Sequence, residues 1–325
     1  MRAVVASRID RIDPLAALQI TERPDPVVDD GWALVEVHAA SLNHHDLWKL
    51  KGVGLPPGRT FPLILGCDAA GVDETGREVV VHAVLGSQEA GGGDETLDPN
   101  RSILSGLRDG TFADRVAVPR RNLIAKPPNL SMVEASCLPT AYLTAYRMLF
   151  TRAQAQAGQT LLIQGAGGGV STAAALLAKA AGLRVWVTTR NPEKAEQAHA
   201  LGVDAAFISG ERLPDRVDIV LDNVGDATWA HSIRSLRPGG TLVTCGATSG
   251  PRPPAEIDHI FAKQLSILGS TMGTLAEFES LIEFCKLEVI HPLVNATHDL
   301  DDAYEAFRGL AASQSFGKIV LTAAT

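Results

Sequence analysis

The sequence predicts an α/β chain in two parts, a β-rich part full of turns and a doubly wound parallel sheet flanked by helices. Three observations predict it. From residue 131 onward, apolar runs of strand length alternate with helix patterns, the signature of a parallel sheet. One of those runs, Leu161-Leu162-Ile163, meets a glycine turn that opens directly into an alanine- and leucine-rich helix pattern. Before residue 125, short strand-like segments are punctuated by Asp13-Pro14, Arg23-Pro24-Asp25-Pro26 and Asp29-Asp30-Gly31. The 325 residues suffice for two cores.

In chain order, residues 2–5 and 33–38 read as strands. Residues 41–50 read as a short helix carrying Asn43, His44, His45 and Asp46. A Gly/Pro loop fills 52–58, residues 78–84 form another strand, and 86–110 form a long glycine-rich loop of a length that is usually functional or mobile. The strand pattern resumes at 110–118, and Lys126-Pro127-Pro128-Asn129 marks a boundary. Helix patterns then cover 131–137 and 140–151. After the glycine turn and its helix comes a second strand at 183–189. A helix follows it, with Asn191 as N-cap, Pro192 in the first turn and Glu193 beside it. Strands at 205–208, 217–222, 241–245 and 267–270 complete the sheet, with a helix at 227–236. Two helices and two short strands, 293–294 and 318–321, end the chain.

The strand, glycine turn and helix suit a dinucleotide pyrophosphate. Glycines at Gly167, Gly168 and Gly169 let the backbone turn tightly and let phosphate come close. The first free N–H groups of the helix, from Val170 on, point at the negative charge. The second strand indicates which dinucleotide. An NAD site carries Asp or Glu at that strand's end. Here the place holds Thr188, Thr189 and Arg190, with Lys194 one turn into the next helix. A carboxylate would repel a 2′-phosphate, whereas hydroxyls, a guanidinium and an ammonium would hold it. The residues therefore predict NADP(H). Ligands sit over the carboxyl ends of such sheets, which adds Asn223, Gly246, Ala247, Thr248, Ser270 and Thr271 as cofactor candidates.

Composition bounds the rest. Apolar content of 46% and charged content of 20% describe an ordinary globular protein. A net charge of −8 argues against nucleic acid or an anionic membrane as main partner. Arg2 and Arg8 interrupt the apolar core that a signal peptide needs, and no apolar run reaches membrane-spanning length. The four cysteines are isolated, with no CxxC pair, so a reducing cytoplasm is the expected compartment.

Several motifs in order resemble the medium-chain dehydrogenase/reductase superfamily, and within it the zinc-independent quinone-oxidoreductase branch. They are residues 36–46 around Leu42-Asn43-His44-His45-Asp46, then Leu65-Gly66-Cys67-Asp68-Ala69-Ala70-Gly71 and Gly110-Thr111-Phe112-Ala113. Further on come residues 138–146, the glycine loop, Asp222-Asn223-Val224-Gly225 and Gly317-Lys318-Ile319-Val320. The resemblance implies a GroES-like catalytic domain from both chain ends, 1–127 and 267–325, and a Rossmann cofactor domain at 128–266. It also implies a homodimer or homotetramer. Metal-using relatives place zinc on residues that match Asn43, Cys67 with Asp68, and Thr140. An amide and a hydroxyl are poor zinc ligands, so no metal is expected. Relatives with a structural zinc carry four cysteines in the loop matching 86–110, which here has none. Ser171 stands where relatives have the third motif glycine, which predicts slightly wider helix–strand packing.

What the resemblance implies is NADPH-dependent hydride transfer to a small-molecule quinone or α,β-unsaturated carbonyl. Asn43 would donate a hydrogen bond to the nicotinamide ribose or substrate oxygen. His45 would supply a proton. Asp46 joins the catalytic candidates, although accepting backbone N–H bonds is the role expected of it. His44 would lie near the pyrophosphate, Thr144 near the nicotinamide, and Lys318 among the cofactor contacts. Two other readings stand beside this one: a metal-assisted alcohol dehydrogenase through Cys67, and a non-enzymatic NADPH-binding protein.

Overall fold

The computed structural model describes residues 1–323. Two compact units make up the chain, Met1–Ala141 with Gly273–Thr325, and Tyr142–Met272. The last two residues of the expected first domain, 324 and 325, lie outside the described residues. The first division falls later than the expected 127/128, because the helix Met132–Ala135 still packs on the strand Trp32–Ser41 of the first unit. The second falls later than 266/267. Residues Ser266–Gly269 pair in parallel with Leu236–Thr244 and so belong to the second unit's sheet.

The first unit is organised around Trp32–Ser41, a ten-residue strand whose buried Ala33, Val35 and Val37 alternate with more exposed neighbours. Ala70–Asp73 and Arg115–Pro119 pair antiparallel with it. Lys318–Thr322, from the far end of the chain, pairs antiparallel at its other end, with Val320 opposite Ser41. That register extends past the strand, where Leu42 N donates to Ile319 O at 2.9 Å. It brings together Asn43 and Lys318, 275 positions apart. The expected helix 41–50 is shorter, His44–Leu50, because Ser41 is held in the sheet and Asn43 becomes the cap. A strand not predicted, Leu18–Glu22, flanks Arg2–Ala6; it is exposed at four of five positions, and Leu18 and Ile20 are its only apolar residues.

The second unit is a six-stranded, all-parallel sheet. By order of appearance its strands run 3-2-1-4-5-6, from Ala205–Ile208 through Thr160–Ile163 to Ser266–Gly269. This is the doubly wound Rossmann order, with its switch point between Thr160–Ile163 and Val217–Asp222. The helix Gly169–Ala180 buries Ala173, Ala174, Leu177 and Ala178, residues that form helix readily. Leu162, Trp186, Val220, Ile233 and Leu242 form a core on the sheet. Among the described residues no helix is long and apolar enough to cross a membrane.

Candidate active site

Asp68 is the hub of a buried polar cluster in the first unit. It is fully buried, just before the strand Ala70–Asp73. Its Oδ2 accepts from Ser41 Oγ and from Asn43 Nδ2, each at 2.8 Å, and its Oδ1 accepts from Thr140 Oγ1. Lys318 Nζ stands 3.5 Å from Oδ2. Lys318 also donates to Leu42 O at 2.7 Å and Asn43 Oδ1 at 2.6 Å, so its ammonium combines two hydrogen bonds with the Asp68 ion pair. The second amide hydrogen of Asn43 goes to Ser41 O at 3.3 Å.

Two expected roles meet this geometry directly. Asn43 was expected to donate to ribose or substrate oxygen, but its amide hydrogens are engaged inside the cluster. Lys318 was expected at the cofactor, but it is 2% exposed and its ammonium is spent on Leu42, Asn43 and Asp68. Burial explains both: Asp68 needs a countercharge out of water, and Lys318 supplies it.

The cluster also occupies the places matched to zinc ligands. The Thr140 hydroxyl hydrogen goes to Asp68, so the Cys67 thiol donates to Thr140 Oγ1 at 3.4 Å. Burial, reinforced by the charges of Asp68 and Asp46, holds the Cys67 thiol well above its ordinary pKa. Of these groups only the Cys67 sulfur and the Asp68 carboxylate are zinc-ligand types, and the Asp68 oxygens are taken up by Ser41, Asn43, Thr140 and Lys318, so the amide, hydroxyl and ammonium around them do not complete a zinc site. Among the described residues no three His, Cys, Asp or Glu are placed to hold a metal. Carboxylates pin the long loop instead: Asp98 accepts from Ser87 N and Asn100 N at 2.8 Å each, and Glu95 accepts from Leu275 N at 2.5 Å.

The helix His44–Leu50 carries the remaining candidates. Asp46 is fully buried and accepts from Asn43 N at 2.7 Å and Gly66 N at 3.2 Å, which ties the helix start to the Gly66 turn. Burial pushes its pKa up to about 7. His45 was expected to donate a proton from its ordinary range. Burial, then the charge of Lys49, pushes its pKa down to about 3, so the imidazole is neutral at pH 7. His44 is half-buried and its pKa is lowered by burial, then by Lys318 and Lys51. Lys49 was not singled out from sequence, since a lysine in a helix pattern reads as solvated. It is 2% exposed.

In the second unit, Gly165 and Gly167 have φ of 78° and 104°, which favour glycine. Gly168 differs: its φ is −69°, and a Cβ there would meet nothing nearer than Ser171 Oγ at 3.9 Å. Neither conformation nor packing demands glycine at 168. Its bareness suits a phosphate approaching Gly167, Gly168, Gly169 and Val170 at the helix N-terminus. Ser171 is buried and its Oγ accepts from Asn223 Nδ2 at 3.3 Å, so the hydroxyl is partnered.

Thr248 N donates to Asn223 O at 3.3 Å, and a Cβ on Gly246 would meet the same oxygen at 3.3 Å. Ser270 N donates to Thr244 O at 2.8 Å, while Ser270 Oγ is buried without a partner. Asn223, Gly246, Ala247, Thr248, Ser270 and Thr271 therefore follow three adjacent strand ends. Thr189 spends its hydroxyl locally, accepting from Asn191 N at 3.1 Å. Arg190 is exposed and has no carboxylate partner among the described residues, and its charge, after burial, lowers the pKa of Lys194. Thr144 is 5% exposed on the helix Leu143–Tyr146.

Family models match two stretches: "Zinc-binding dehydrogenase" over residues 169–286 and "Alcohol dehydrogenase GroES-like domain" over 29–128. A zinc-type alcohol dehydrogenase-like protein of Schizosaccharomyces pombe is 30% identical, with 99% of both chains covered. The crystal structure of an NAD-dependent alcohol dehydrogenase superposes with a TM-score of 0.91 at 33% identity, over 99% of each chain. The 2-octenoyl-CoA carboxylase reductase CinF, solved in complex with NADP and 2-octenoyl-CoA, gives 0.91 at 25% identity, covering 99% of this chain and 87% of that one.

Proposed function

Since this chain belongs to the medium-chain dehydrogenase/reductase superfamily, we propose that it is an NADPH-dependent reductase of conjugated carbonyls that works without a catalytic metal. The observation that carries this reading is the closed Lys318–Asp68–Asn43–Thr140 cluster, which replaces a zinc ligand set with partners that satisfy one another. Bound NADPH supplies the hydride. A conjugated acceptor suits a site of this kind, because it needs less Lewis-acid help than a simple ketone.

The chain's own residues bind and orient. The turn at Gly167–Val170 takes the pyrophosphate, and Arg190 with Lys194 takes the 2′-phosphate. Asn223, Gly246 and Ser270 border the nicotinamide half, where Ser270 Oγ has a hydrogen bond to give. An α,β-unsaturated carbonyl is favoured over a quinone by the likeness to the structure holding 2-octenoyl-CoA. A dimer or tetramer is part of the same reading, and light scattering would measure it.

The test is oxidation of NADPH and of NADH by metal-depleted protein against quinones, enals, enoyl thioesters and simple alcohols. Turnover of enals or enoyl thioesters with NADPH is expected. Alcohol oxidation that returns only when zinc is added would contradict the proposal.

A further inference from the structure

The cluster around Asp68 has no donor to spare, but one face of the neighbouring helix does. Lys49 and His45 lie four residues apart on His44–Leu50, and so share a face. Lys49 is 2% exposed, and among the described residues its ammonium has one acceptor, Gly54 O at 2.5 Å. Two of its three N–H groups are therefore buried without a partner. His45 Nε2 is buried without a partner as well. Buried polar groups left unpaired are costly and uncommon in native proteins, so a pair of them on one helix face calls for a partner. Burial, then the Lys49 charge, lowers the His45 pKa, and burial lowers that of Lys49. Asp46, on the same helix, holds Gly66 N at 3.2 Å, which ties this helix to the turn that precedes Cys67, one of the places matched to zinc ligands.

We propose that Lys49, with His45 beside it, receives the acceptor's carbonyl oxygen and stabilises the negative charge that develops there. This inference rests on the reductase reading above and names the group that does the polarising. Hydride addition at the β-carbon forms one C–H bond, oxidises the reduced nicotinamide and moves the C=C electron pair onto the carbonyl oxygen as an enolate. The Lys49 ammonium meets that charge at short range. A proton from water then adds at the α-carbon and the enolate returns to a carbonyl. His45, being neutral, contributes a hydrogen bond and no proton. Gly54 O holds the ammonium in place while leaving two of its hydrogens for substrate.

Lys49→Met keeps the buried stem and removes the charge, and exposed Lys51→Met is the control. Both would be compared with wild type and Lys49→Arg, using trans-2-octenal and 2-octenoyl-CoA as acceptors and NADPH fluorescence to read cofactor affinity. The expected result for Lys49→Met is a kcat lowered at least 100-fold, with KM changed less than threefold and NADPH affinity within twofold of wild type. Lys49→Arg should recover at least tenfold of the loss, and Lys51→Met should match wild type. If Lys49→Met fails to fold, Lys49→Gln is read by the same criteria. A kcat within threefold of wild type overturns the inference, and so does a loss confined to KM, which would mark Lys49 as a strap for the 52–58 loop. Wild-type protein that reduces neither acceptor overturns the reductase reading itself.

Discussion

Removing the charge of Lys318 tests the energetic heart of the site. Lys318 and Asp68 are 2% and 0% exposed and 3.5 Å apart, so neither charge has water to fall back on. In Lys318→Met the aliphatic stem survives. Asp68 keeps the hydrogen bonds of Ser41, Asn43 and Thr140, but it stays a buried anion without a countercharge. Breaking one partner of a buried pair costs about 3–5 kcal/mol. Asp68→Asn leaves the opposite charge stranded and should cost a similar amount. The double variant carries no net charge at the site, so its cost should fall about 2 kcal/mol or more short of the sum. Urea unfolding of the four proteins, with midpoints compared at constant slope, measures this directly. Costs that add to within about 0.5 kcal/mol would show that the two groups are not coupled, and the cluster would lose its proposed basis.

Other outcomes follow from the same geometry. Arg190→Asp should shift the NADPH/NADH preference by roughly 1.5–3 kcal/mol, a factor of about 10 to 150, since a charged hydrogen-bond partner is exchanged for a repelling one; cofactor titrations would read it, and an unchanged ratio would remove Arg190 from the 2′-phosphate. Gly168→Val should fold with near-native stability, because its φ of −69° suits any residue and a Cβ meets nothing closer than 3.9 Å, yet it should bind NADPH far more weakly. His45 has a folded pKa near 3, below its free value of 6.5, so the unfolded chain takes up the proton first as pH falls. The stability it contributes is complete above pH 6.5 and is lost towards pH 3, with about 1.4 kcal/mol gone by pH 5.5. His45→Asn should abolish that slope. Asp46, with its pKa raised to about 7, contributes the opposite slope in both proteins and cancels from the comparison.

The cofactor half was legible in the sequence because its signals are local. A strand, a glycine turn and a helix sit within one stretch, and the parallel sheet follows from alternation of strand and helix patterns, although its strand order does not. The catalytic half was legible only in part. Asn43, Cys67 and Thr140 could be matched to positions, but nothing in residues 36–46 shows that Lys318 will take up Asn43. That pairing depends on the register that sets Val320 opposite Ser41. His45 kept its ordinary titration range when read from sequence, since burial and the charge of Lys49 are properties of the packed helix. Lys49 itself gave no signal, because a lysine in a helix reads as surface until the 52–58 loop is seen to accept its hydrogen bond at Gly54.

The most direct trial of the account uses chelator-treated protein, shown to be free of bound metal by mass spectrometry, with NADPH carrying deuterium at both C4 positions. Incubated with trans-2-octenal or 2-octenoyl-CoA, it should place one deuterium at the β-carbon of the saturated product for each NADPH oxidised. Deuterium in no product from any conjugated acceptor, or transfer that appears only after zinc is restored, would contradict it.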